Sequence, residues 1–142
     1  MDLKDFSKTL GYPVRNPYPS ENTYFKANPH VAGMATEDNK ITLNPFSTLS
    51  QQEKEAVAVN EAYRLFMREK QVKPPFALTP EQEAQFKGTA YEKNPDMAKH
   101  SIIARFLSGD PSALNASDEQ IVFAEMMRKQ AQLRQQPPAK KD

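Results

Sequence analysis

Three polar residues at helical spacing, Asn60, Glu61 and Arg64, are the chain's strongest candidates for chemistry. They sit in Asn60-Glu61-Ala62-Tyr63-Arg64, where a zinc peptidase would carry His-Glu-x-x-His. In that pattern two neutral imidazoles at i and i+4 hold the metal on one helix face, and the glutamate serves as base. Here asparagine and arginine fill the two imidazole positions. Arginine is a fixed cation and does not ligate zinc. The segment therefore argues against the enzyme that its outline suggests. Two readings remain for the trio: a site for a polar ligand, or a structural cluster. In the structural reading, Asn60 and Arg64 tie the preceding hairpin and the Asn44-Pro45 turn to the helix, and Glu61 pairs outward with a cation.

The elements that must position these residues are short strands and a long helix. His30–Ala35 and Lys40–Asn44 read as two strands joined by the turn residues Glu37-Asp38-Asn39. Ile41 and Leu43 alternate with Thr42, as on a half-buried strand. Ser50-Gln51-Gln52-Glu53 is a capping box that opens the helix. Ala56, Val59, Tyr63, Phe66 and Met67 share one face, and Ala58, Ala62 and Leu65 widen it, so the helix is covered on more than one side.

Further start and stop signals follow. Thr79-Pro80-Glu81-Gln82 is a second capping box, with proline at the first helical position. Asn94-Pro95-Asp96 opens a helix that ends at Gly109, and Ser117-Asp118-Glu119-Gln120 opens another. The predicted fold is mainly α: four helices near 50–71, 80–87, 95–108 and 118–134, with one short β-hairpin at about 30–44. Residues 1–28 read as an extended arm rich in proline and aromatics, residues 29–134 as the helical domain, and residues 135–142 as a flexible tail.

The arm is the second candidate site. Leu3, Phe6, Leu10, Tyr12, Tyr18, Tyr24 and Phe25 form a large apolar load on a segment punctuated by Pro13, Pro17 and Pro19. Such a segment either packs on its own domain or docks on a partner. For residues 3–19 a partner surface is expected; Tyr24 and Phe25 adjoin the hairpin, which favours internal packing.

Composition removes other classes. The chain has 142 residues and no cysteine, so disulfides and thiolate metal sites are excluded. Nineteen Lys and Arg face 18 Asp and Glu, a net +1 that gives no basic field for nucleic acid. His30 and His100 are the only histidines and are widely spaced. No Gly-x-Ser-x-Gly or Gly-rich phosphate loop is present. The N-terminus is too charged for a signal peptide, and no apolar run nears the ~20 residues that span a bilayer. The expectation is a soluble, non-enzymatic protein without a cofactor or metal.

A string of separated words adds a resemblance. Asn28-Pro29-His30-Val31-Ala32-Gly33-Met34-Ala35, Leu43-Asn44-Pro45, Asn60-Glu61-Ala62, Leu78-Thr79-Pro80-Glu81-Gln82 and Ala104–Ser112 resemble a family of small, largely uncharacterised proteins of tailed, podovirus-type phages. The resemblance covers roughly residues 24–125. It implies a phage origin and a binding role in the virion or the host cytoplasm, toward a particle or host protein, with homo-oligomerisation open. It brings no catalytic residues. The alternative reading is a zincin-like protein whose metal site is degenerate, with Asn-Glu-x-x-Arg in place of His-Glu-x-x-His.

Overall fold

The computed structural model describes residues 11–110 and 115–135. The elements run β1 (Val14–Arg15), α1 (Pro19–Ala27), β2 (Gly33–Ala35), β3 (Ile41–Leu43), α2 (Gln51–Glu69), α3 (Pro80–Phe86), a 3-10 turn (Ala90–Lys93), α4 (Pro95–Leu107) and α5 (Asp118–Gln135). The protein is mainly helical with a small sheet. The strands are ordered β1-β3-β2; β1 lies parallel to β3, and β2 antiparallel to it. Gly33 faces Leu43, Met34 faces Thr42 and Ala35 faces Ile41. At the turn between them, Asn39 takes a left-handed φ of 57°, which asparagine tolerates.

Helix α2 is central. It packs on β2 and β3 on one side and on α4 on the other, and α5 packs on α4. Its buried side chains, Ala58, Val59, Ala62, Tyr63, Leu65, Phe66 and Met67, cover more than one face, as the sequence pattern requires. The Ser50 hydroxyl accepts from the Glu53 amide at 3.2 Å, and Glu53 accepts from the Ser50 amide at 3.2 Å. Gly33 sets how close the sheet approaches: a Cβ there would lie 3.0 Å from the Thr42 carbonyl and 3.0 Å from Val57 Cγ1. Only a residue without a side chain lets β2 lie so near α2 and β3.

Two capping boxes are joined in the core. Gln82 and Gln120, third residues of their boxes, form a reciprocal amide pair at 2.7 Å in each direction. Each also accepts its own cap amide, Thr79 N–H and Ser117 N–H, both at 3.0 Å. Gln120 further donates to the Ala77 carbonyl at 3.2 Å. The starts of α3 and α5 are thereby locked together.

The expected arm is corrected over its described part. Residues 14–15 form a strand of the sheet, and residues 19–27 form a helix rather than extended chain. Pro19 occupies the first helical position, where its missing N–H costs nothing, and Glu21 accepts the Tyr18 amide at 2.8 Å. The proline that suggested an arm therefore starts a helix. Tyr12 and Phe25 are 1% and 0% exposed, so both belong to the core and neither is a surface for a partner. The Tyr12 hydroxyl donates to the Glu69 carboxylate. Leu3, Phe6 and Leu10 lie outside the described residues, as does the tail from residue 136.

Candidate functional site: a cleft beside the edge strand

The Asn60, Glu61 and Arg64 trio lies between α2, α4 and β2. The bonds of Asn60 and Arg64 run to α4 and the 3-10 turn, not to the Asn44-Pro45 turn. Arg64 Nε donates to Asn60 Oδ1 at 2.7 Å, Nη1 to the Tyr91 hydroxyl, and Nη2 to Ser101 Oγ at 3.0 Å. Asn60 Nδ2 reaches Ser108 Oγ at 3.4 Å. Every guanidinium nitrogen is engaged, so Arg64 is a strut between α2 and its neighbours. The expected tie to the hairpin is made instead by Arg68, one turn further on. Its Nη2 donates to the Thr36 carbonyl at 2.8 Å and to Asn39 Oδ1 at 3.2 Å. Asn44 ties the strand end to the α1 region through its Nδ2, which reaches the Val31 carbonyl at 2.7 Å and the Asn28 carbonyl at 3.3 Å.

Glu61 lies beneath the edge strand. Its side chain is 13% exposed, and its carboxylate is 3.8 Å from Arg64 Nε. Burial pushes the Glu61 carboxyl above the ordinary glutamate value, against the lowering pull of Arg64, of the Ala35 backbone N–H and of Arg68. The expected outward pairing of Glu61 is thus replaced by an inward one.

Above these residues opens a cleft of about 690 Å³. Gly33, Met34 and Ala35 of β2 form one wall; Glu61, Arg64 and Arg68 of α2 form the floor; Tyr91, Met97 and His100 form the opposite wall. Tyr24, Val31, Val72 and Lys73 complete the lining. His100 is fixed by donating Nε2–H to the Val72 carbonyl at 2.7 Å. The two candidate groups of the sequence meet here, since Tyr24 lines the same cleft as Glu61 and Arg64. Tyr18 does not: it caps the start of α1, and its ring lies under Arg15, 3.8 Å from guanidinium to centroid. His30 is exposed and outside the cleft.

Backbone groups complete the site. Asn44 N–H donates to the Ala32 carbonyl and Thr36 N–H to the Lys40 carbonyl, each at 2.9 Å. Residues 32, 34 and 36 therefore face β3, and the alternation turns the N–H and C=O of Gly33 and Ala35 outward. The Ala35 N–H lies near enough to Glu61 to favour its carboxylate form. The Gly33 N–H and C=O and the Ala35 C=O are left facing away from β3. Sequence reasoning missed Arg68, although Glu61, Arg64 and Arg68 stand at i, i+3 and i+7 on one helix face. Nothing in the sequence placed Tyr91, Met97 or His100 beside this trio; the 3-10 turn delivers Tyr91, and α4 delivers Met97 and His100.

The arrangement can hold a ligand; it offers no metal set. Among the described residues no group of three His, Asp or Glu side chains is gathered in space. No described helix is long and apolar enough to cross a membrane. No known protein family, curated protein or solved structure matches this chain.

Proposed function

We propose that the protein is a non-enzymatic binding module that acts by protein–protein contact, and that the cleft receives an extended polypeptide segment of its partner. One observation carries this reading: an edge strand with outward ladder groups forms the wall of a large cleft with apolar and polar side chains. An extended chain added to such an edge gains main-chain hydrogen bonds, and pockets for alternate side chains give selectivity. The resemblance to small phage proteins supports a partner in the particle or the infected host, and a place in the virion or host cytoplasm.

The test is selection of random peptides against the immobilised full chain, followed by hydrogen exchange on the complex. The expected result is a set of mutually competing peptides that slow exchange of the Gly33 amide. Peptides that leave Gly33 unprotected, or no enrichment at all, overturn the reading.

A second reading is favoured by the position of Glu61 beneath the edge strand, where a zinc peptidase places its base. Asn60 and Arg64 stand in the ligand positions, and Arg64 is fully bonded, so in this reading the cleft is a remnant that binds without cleaving. Metal analysis of the purified protein separates the two. Less than stoichiometric zinc is expected; one zinc per chain, lost on mutating His30 or His100, would favour the metal reading.

A further inference from the structure

The charges of the cleft narrow its ligand. Three cations, Arg64, Arg68 and Lys73, face two carboxylates, Glu61 and Asp96. Glu61 is already compensated by the Ala35 amide and two arginines, and burial favours its neutral form. Arg64 has all three guanidinium nitrogens bonded within the protein. Arg68 differs. Its Nη2 is anchored at the Thr36 end of β2, while its Nε and Nη1 have no partner among the described residues. An anchored guanidinium loses little freedom when it takes a further acceptor. Lys73 lies on the same cleft margin, also without a bonded partner among the described residues.

From this charge complementarity, and resting on the peptide-binding reading above, we infer that the preferred occupant is an extended segment bearing an acidic side chain. The peptide backbone pairs with Gly33 and the Ala35 carbonyl. Its carboxylate sits at the Thr36 end against Arg68, with Lys73 adding to the field. Its apolar side chains lie toward Tyr24, Val31 and Met34. An acidic chain supplies the acceptor that this edge lacks, whereas a basic chain would meet the unspent cations.

The probe is a capped hexapeptide, Thr-Val-Glu-Val-Thr-Val, titrated calorimetrically into the full chain, with its Gln and Lys analogues and an eight-residue oligothymidylate. The Glu peptide is expected to bind about tenfold more tightly than the Gln peptide, the usual scale for a charge-assisted hydrogen bond. Arg68→Gln should abolish that difference; Lys73→Gln should reduce it without touching the hairpin tie. Equal binding of Glu and Gln peptides overturns the acidic preference and leaves the peptide reading standing. Binding of none of the peptides overturns both. Tighter binding of oligothymidylate than of the Glu peptide would make the cleft a nucleic-acid groove and overturn the inference.

Discussion

The two polar clusters of this protein have similar components and opposite accessibility. At Gln82 and Gln120, 4% and 0% exposed, two amides satisfy each other and the caps of two helices. At Glu61, Arg64 and Arg68, a buried carboxylate and a fully bonded guanidinium lie beside a guanidinium whose donors are partly unspent, under an open cleft. A closed cluster can only hold helices together. An open one adds donors that a ligand can use, at the cost of leaving them to water meanwhile.

Replacing one partner of the closed cluster should give the largest loss. Gln120→Leu strands the Gln82 amide, the Ala77 carbonyl and the Ser117 amide, and should cost about 2–3 kcal/mol in denaturant unfolding. The double variant with Gln82→Leu should cost less than the sum of the single changes, because neither side-chain amide is then left without its buried partner. Strict additivity would show that the pair is not coupled.

Arg64→Ala should cost about 1–3 kcal/mol, and Asn60→Ala toward the lower end, since both strut α2 to α4. Unchanged thermal melts would mean that the cluster serves only a ligand, and would erase the structural half of the comparison.

Glu61 gives a pH signature. Its folded pKa is raised, so its contribution to stability is fully present below the ordinary glutamate value and is lost as pH rises through the folded value. The stability of Glu61→Gln relative to the parent should therefore be greater at pH 7 than at pH 4. A relative stability that moves the other way would show that the arginines, not burial, control this carboxylate.

The smallest stability effect should come from Arg68→Gln, within about 0.5 kcal/mol, because the side chain is exposed and its hairpin bond is made at the surface. Peptide binding should nevertheless suffer. A large loss of stability would move Arg68 into the structural class and remove the contrast with Gln82 and Gln120.

Much of the framework was legible because it rests on local chemistry. The boxes at Ser50 and Thr79, the cap at Asn94 and the stop at Gly109 each depend on residues within one turn. The hairpin was legible from the turn residues Glu37-Asp38-Asn39, though it is shorter than the expected 30–44. The half-buried alternation expected of Ile41–Leu43 is not found: Thr42 is fully buried because β3 is the central strand. Residues 11–28 were misread because proline signals both an extended chain and a first helical turn. Pro19 takes the second role, with Glu21 accepting the Tyr18 amide.

The sequence by itself determined helices α2 to α5, their caps, the absence of a thiol or paired-imidazole metal set, and the central place of α2. Each follows from composition or from contacts between near neighbours in the chain. The tertiary structure decided that Tyr12 and Phe25 enter the core while Tyr24 lines a cleft, that Arg68 rather than Arg64 ties the hairpin, and that Gly33 and Ala35 turn their outward backbone groups toward that cleft. Those outcomes depend on residues 20 to 60 positions apart in sequence, whose meeting is set by how β2, α2 and α4 pack. No local pattern encodes it.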